Sequence, residues 1–361
     1  MKENVKKNGR QSIGRTIVLS VLLLLGLTQA VRAAAPEIHA ESAILLNAKT
    51  GNVLYEKNAD TRRAPASLTK MMTCILCLET KGLDATFRIS QAAAKTEDSY
   101  LEMKADEKLL SGELMREMMM ESDNGAAVAV AQNVSGTILK FAERMNAKAK
   151  ELGCTRTHFS NPNGLTAKWH YSTARDLSKI AVYCMKNPDF RDLVKNRKGV
   201  IRWVKPSGRT YNSETTNELL GRYDGANGIK TGWTNAAKGC LAASATRGDV
   251  ELITIVLKSK DHDTRFTDAK QLLDYGFSIG GEGKTVIVNT ESASKKPLLT
   301  TKKTGNITKP EKDSVVPADR KKENVTAVTS MPSATRTSTV SNKPAARTSG
   351  VRMPVVRKPG A

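Results

Sequence analysis

Long apolar stretches, histidines and closely spaced cysteines are all scarce in this chain of 361 residues. The longest mostly apolar run, residues 17–27, is too short to cross a bilayer as a helix, which needs about 20 such residues. The four histidines, His39, His158, His170 and His262, show no metal-ligand spacing and no nucleophile partner, so neither a metal nor another cofactor is implied. The cysteines are Cys74, Cys77, Cys154, Cys184 and Cys240, an odd number without the density of a disulfide scaffold. They read as small buried apolar residues. Cys74-x-x-Cys77 falls inside a predicted helix, away from the helix start where a thiol would gain reactivity. From Glu291 onward there is no aromatic residue, and such a segment cannot build a core.

What is present divides the chain into three. Residues 1–33 carry Lys2, Lys6, Lys7, Arg10, Arg15 and Arg32 against Glu3, then the short apolar run, then a small-residue exit around Ala33. This order is that of a secretory signal peptide, which would make the protein exported to the periplasm or the extracellular cell envelope. Residues 289–361 form a basic tail rich in Lys, Thr, Ser, Pro and Val, with no period of helix or strand, and are expected to be disordered. The tail contributes +10 and the leader +5 to the net charge of +21, so the middle holds only +6. Export argues against a nucleic-acid partner. The tail reads as a solvated linker whose charge suits sequence-independent attraction to anionic polymers or lipid head groups.

The middle, residues 37–288, is predicted to be one domain. Residues 42–57 read as strand, turn and strand. A helix is predicted to open at Ser67, with Met71, Met72, Ile75, Leu76 and Leu78 on its buried sides. Residues 107–186 read as predominantly helical, with the methionines at 118–120 as core filling. Strands return between Gly228 and Lys258, and a last helix covers Phe266 to Tyr275. Strands at both ends and helices between them predict an α/β (α+β) fold: a five-stranded antiparallel sheet flanked by helices, with a helical subdomain inserted.

Three short motifs carry chemistry. Ser67-Leu68-Thr69-Lys70 places a hydroxyl and an amine three residues apart at a helix start, where both share a face. The amine can serve as base once desolvation and a neighbouring cation lower its pKa. Ser122-Asp123-Asn124, the only Ser-x-Asn in the chain, offers a second hydroxyl for proton relay and an amide for holding a peptide group. Lys230-Thr231-Gly232 offers a cation and a hydroxyl for a carboxylate, with a glycine that permits close approach. Two of these patterns recur elsewhere, as Ser292 to Lys295, Lys49-Thr50-Gly51 and Lys303-Thr304-Gly305, but only the copies at 67 and 230 fall on suitable elements.

In this order the set resembles that of penicillin-binding proteins and class A β-lactamases. Further segments, including residues 64–70, 159–165, 228–234 and 272–277, resemble the low-molecular-weight penicillin-binding proteins, the D-alanyl-D-alanine carboxypeptidases, over about residues 37–288. The resemblance implies a serine peptidase of β-lactamase-like fold that trims peptidoglycan stem peptides and is acylated by β-lactams. It makes Ser67 the nucleophile, Lys70 its proton acceptor, Ser122 the relay, Asn124 a substrate contact, and Lys230 and Thr231 the carboxylate receptor. The oxyanion would lie between the backbone N–H groups of Ser67 and Trp233, beside Gly232. Three departures stand out: Gly125 replaces a common Asp, Thr216 replaces an arginine of some members, and the C-terminal β-rich domain and anchor helix have no counterpart, so no stable membrane anchor is expected. Arg265 resembles another arginine near the carboxylate site. The basic tail would meet anionic wall polymers.

Rival readings are weighed on residues. A class A β-lactamase needs a Glu-x-x-Leu-Asn loop, which does not occur between residues 125 and 229, so deacylation of a bound β-lactam is expected to be slow. Gly276-Phe277-Ser278-Ile279-Gly280 matches an esterase elbow, but a helix precedes it where a strand is required, so it reads as a helix cap. A D,D-endopeptidase would use the same site. A silent wall-binding protein would have no need of Ser67, Lys70, Ser122 and Lys230 together.

Overall fold

Alternate side chains of the first strand face opposite cores, and this places a sheet in the middle of the molecule. The computed structural model describes residues 34–288; the predicted leader and the whole of the basic tail lie outside them. Strand β1 (Ser42–Asn47) is buried along its whole length, with Ile44 and Leu46 in one apolar cluster and Ala43 and Leu45 in the other. Period-two alternation of this kind is what a strand covered on both faces requires.

β1 pairs antiparallel with β2 (Val53–Lys57) across the predicted hairpin, and on its other edge with β9 (Val250–Ser259), where Ser42 lies opposite Leu257. β8 (Lys238–Arg247) pairs with β9, and β7 (Ala226–Thr234) pairs with β8, both antiparallel. The N- and C-terminal parts thus close one sheet, as expected. It has six strands and not five, in the order β10-β2-β1-β9-β8-β7. The extra strand β10 (Val286–Val288) runs parallel to β2, which its edge would otherwise leave open. Three residues are too few for a two-residue period to stand out in a sequence.

One face of the sheet is covered by the terminal helix His262–Ser278, through Phe266, Leu272 and Leu273. Ile279 ends that helix and Gly280 follows at φ +66°, so the Gly-x-Ser-x-Gly segment is a helix end. The other face is covered by helices. A 3-10 turn (Ala66–Thr69) runs into α1 (Lys70–Lys81); then come α2 (Gln91–Ala94), α3 (Ser111–Met120), α4 (Asn124–Ser135), α5 (Ile138–Glu151), α6 (Ala174–Met185) and α7 (Pro188–Val194). The terminal helix is α8. All five cysteines are buried and free. Burial holds the Cys77 thiol up at about 12 and raises Cys74 well above its ordinary value, so neither supplies a thiolate.

Two features differ from the sequence reading. The helical block is interrupted at residues 152–173, a loop without helix or strand that is tied to the core by polar bonds: Thr73 Oγ1 donates to the Pro162 carbonyl at 2.6 Å, and Arg63 and Ser172 exchange backbone bonds. A second sheet was also unexpected. It joins β3 (Thr86–Arg88), β4 (Lys108–Leu110), β5 (Lys198–Lys205) and β6 (Thr210–Glu214) in sequence order. Its edge-rich, half-exposed strands bury only single residues such as Phe87, Leu109, Ile201 and Trp203, which leaves little pattern to read. Among the described residues no helix is long and apolar enough to cross a membrane.

Candidate active site

The 3-10 turn before α1 brings Ser67 to the floor of a cleft of about 780 Å³. Ser67, Ser122, Asn124, Thr231, Gly232 and Trp233 line it, joined by Thr216, His262 and Arg265. Lys70 and Lys230 do not face the open space; they are buried beneath it. The structure thus gathers six of the eight sequence-nominated residues around one opening and sets the two lysines behind them.

Lys70 is in the first turn of α1, so its side chain lies over the turn that carries Ser67. Its Nζ is 2.8 Å from Ser67 Oγ, 2.7 Å from Asn124 Oδ1 and 2.7 Å from the Asn163 carbonyl oxygen. The last two partners can only accept hydrogen bonds, and they take two N–H bonds of a neutral amine. Its lone pair is then left facing the serine hydroxyl, which is the arrangement proton abstraction needs. Burial lowers Lys70 to about 7, against the pull of Asp123 and Asp98 in the other direction. The amine is therefore available near neutrality.

Ser122 sits between α3 and α4 at φ +74°, and Ala66, just before Ser67, at φ +47°. Non-glycine residues in this region cost about 1 kcal/mol or more each, and such strain is commonly kept where it aims a side chain. Asp123 caps α4 by accepting from Ala126 N–H at 2.6 Å, so the absence of an Asp at 125 does not weaken the helix start. Gly125 is required instead: a Cβ there would lie 2.4 Å from Ser99 Oγ. Asn124 donates from Nδ2 to the Glu97 carbonyl at 3.2 Å, which leaves Oδ1 turned to Lys70.

On the opposite wall, β7 passes so close to the serine that a Cβ on Gly232 would be 3.0 Å from Ser67 N. β7, whose Trp233 N–H the resemblance nominates for the oxyanion, thus lies against the nucleophile turn. Thr231 Oγ1 is 2.5 Å from Thr216 Oγ1, which in turn donates to the Met120 carbonyl at 3.1 Å. Arg265 donates from Nη1 to the Gly232 carbonyl at 3.0 Å, tying α8 to β7 at the mouth of the cleft. Trp233 stacks on His262 with ring centroids 4.3 Å apart.

A model of the D-alanyl-D-alanine carboxypeptidase family matches residues 29–261. The chain belongs to that family. The carboxypeptidase DacF of Bacillus subtilis is 36% identical over 244 residues, covering 66% of this chain and 62% of DacF, so this chain matches less than two thirds of that relative's length. The D-alanyl-D-alanine endopeptidase of Escherichia coli is 30% identical over 246 residues, covering 67% of this chain and 79% of that protein. The crystal structure of the Streptomyces K15 DD-transpeptidase superposes with a TM-score of 0.65 at 35% identity, over 68% of this chain and all of that one. The α/β fold is therefore that of the DD-peptidases, with the β-lactamase-like arrangement of sheet and helices.

Seen as a carboxypeptidase-family site, the cleft contains parts that no motif named. Asn163 acts through its backbone carbonyl, which any residue would carry; the turn residues Asn161-Pro162-Asn163-Gly164 were the signal available. Gly164, at φ +91°, leans on the nucleophile turn so closely that a Cβ would lie 1.9 Å from the Ala66 carbonyl. Gly164→Ala is expected to cost about 3 kcal/mol or more of unfolding free energy, which thermal and urea unfolding would show.

His170 joins the same loop to the same turn. Its Nδ1 accepts from Ser160 N–H at 3.0 Å, so Nε2 carries the proton and donates to Thr69 Oγ1 at 2.9 Å; Thr69 Oγ1 donates to the Ala66 carbonyl at 2.8 Å. Burial lowers His170 to about 4, with His158 adding to the fall. A folded-state value below the unfolded one of about 6.5 means this stability is full above about pH 6.5 and is lost as pH falls towards 4, by about 3 kcal/mol in all. In His170→Gln the corresponding slope of unfolding free energy against pH should vanish. An unchanged slope would refute the role given to the imidazole.

Proposed function

We propose that this chain is an exported serine D-alanyl-D-alanine carboxypeptidase that removes the terminal D-alanine from peptidoglycan stem pentapeptides. The observation that carries the reading is the 2.8 Å contact from Lys70 Nζ to Ser67 Oγ, inside a cleft whose far wall is the Lys230-Thr231-Gly232 strand. The free C-terminal carboxylate docks against Thr231 and Arg265 above Lys230. The neutral Lys70 amine takes the Ser67 proton, and Oγ bonds to the carbonyl carbon of the penultimate D-alanine. Negative charge on the carbonyl oxygen is received by the N–H groups of Ser67 and Trp233. Lys70 gives that proton to Ser122 as the Ser122 hydroxyl donates its own to the departing D-alanine nitrogen, so that the C–N bond breaks and Lys70 is neutral again. Water then attacks the ester on Ser67, Lys70 taking its proton and returning one to Oγ, and the shortened peptide leaves.

A β-lactam follows the same path to an ester on Ser67, and with no Glu-x-x-Leu-Asn loop to activate water the adduct is long-lived. The leader supports export, and the basic tail supports contact with anionic wall polymers, both as sequence expectations. The test is mass spectrometry of products from a defined pentapeptide and from a cross-linked peptide dimer. Release of D-alanine supports the carboxypeptidase; monomers released from the dimer without it would favour an endopeptidase, and no product from either would sink the reading.

A further inference from the structure

Two threonine hydroxyls meet at one wall of the cleft. Thr231 Oγ1 on β7 and Thr216 Oγ1, two residues beyond the end of β6, lie 2.5 Å apart, and both residues line the opening. Thr216 is held from the other side by the last residue of α3: its backbone N–H and its Oγ1 both donate to the Met120 carbonyl, each at 3.1 Å. On one flank Thr215 N–H donates to the Arg197 carbonyl at 2.8 Å, and on the other Asn217 N–H donates to Thr215 Oγ1 at 3.2 Å. Thr216 thus ties the helix that leads to Ser122 to the strand that carries the carboxylate receptor.

The pair has two hydroxyl hydrogens, and the acceptors around it decide where they point. A carbonyl can only accept, so while Thr216 donates to Met120 the hydrogen in the 2.5 Å contact belongs to Thr231. Thr231 then turns only lone pairs towards the cleft, and these repel a carboxylate, which also can only accept. In the opposite arrangement Thr216 donates to Thr231, and Thr231 donates into the cleft. The Met120 carbonyl keeps the Thr216 N–H, so no acceptor is orphaned by the change. Both hydroxyls need only turn about their C–O bonds.

We propose that Thr216 is a positioning residue for the substrate carboxylate: when the carboxylate docks, the Thr216 hydroxyl swings from Met120 to Thr231, and Thr231 donates its own hydrogen to the anion. The inference deepens the activity proposed above and rests on it. In the docked state the bonds run one way, from Thr216 to Thr231 to the carboxylate, and each polarises the next. The bond to the anion is charge-assisted and about twice as strong as the neutral bond given up. A valine at 216 has nearly the same shape but donates nothing. Thr231, only 4% exposed, would then meet the carboxylate with no donor behind its oxygen and no partner to pin its rotamer.

The test uses the full chain and compares second-order acylation rates for benzylpenicillin and for its methyl ester, which lacks the carboxylate. Thr216→Val should be acylated about tenfold more slowly than wild type by benzylpenicillin and within about twofold of it by the ester. Thr216→Ser, which restores the hydroxyl, should return the benzylpenicillin rate to that of the wild type. In a Thr231→Val background, adding Thr216→Val should cost nothing more, because the two act through one hydrogen bond. Thr216→Ala also lacks the hydroxyl and carries the same expectation should the valine variant not fold. An unchanged or faster benzylpenicillin rate without the hydroxyl, equal losses with acid and ester, or a serine variant as slow as valine would overturn the role of Thr216 while leaving the activity in place. A wild-type protein that forms no benzylpenicillin adduct would instead overturn the activity, and this inference with it.

Discussion

Ser67→Ala should form no covalent adduct with a β-lactam and should release D-alanine at least about 10⁴-fold more slowly than the wild type, because removing the nucleophile of a concerted set costs nearly the whole covalent rate enhancement. The fold should survive. The alanine takes away one of three hydrogen-bond partners of Lys70 Nζ and leaves Asn124 Oδ1 and the Asn163 carbonyl, so the buried amine keeps both of its acceptors. The expected stability change is within about 1 kcal/mol. Intact-mass measurement after exposure to benzylpenicillin decides the first point and thermal unfolding the second. An adduct of unchanged mass on the alanine variant would show that another residue is acylated.

Lys70→Arg tests the base separately from the nucleophile. A guanidinium stays protonated at any working pH, so it offers charge and hydrogen bonds without a lone pair for the serine proton. Acylation should fall by about 10³-fold or more, within the range general-base catalysis supplies. The wild type provides the matching pH signature. Burial sets Lys70 at about 7, so the amine is mostly an ammonium below that pH and mostly free above it. The acylation rate should accordingly rise with pH around a midpoint near 7. The arginine variant should show no such rise. A wild-type rate that falls as pH increases from about 6 to 8 would contradict proton abstraction by Lys70.

How far the sequence could be read depended on where the information resides. The three motifs were legible because a nucleophile, its base and a carboxylate receptor need particular side chains at particular spacings. The hairpin at residues 42–57 and the strands β8 and β9 were legible because apolar runs broken by turn residues leave few alternatives. Residues 152–173 were not. Their order comes from backbone groups bonded to distant side chains, and a carbonyl such as that of Asn163 carries no mark of its identity. Thr69 and His170 join through a contact across 101 positions, which no local period reveals. Glu117 is wholly buried on α3, and nothing in its local sequence marks it as such. The departure at Gly125 was legible as a difference, but its reason, the approach of Ser99, was not.

The pairing of β1 with β9 has a consequence in time. Ser42 sits opposite Leu257, so the central sheet joins the first strand of the domain to its last long one. Contacts between such remote positions form late and slowly. A polypeptide that emerges with its N-terminus leading exposes the serine early, but β7, which completes the cleft, joins the sheet only through β8, and β8 in turn through β9. No half-made molecule has a complete cleft, which closes only when almost the entire domain has been made.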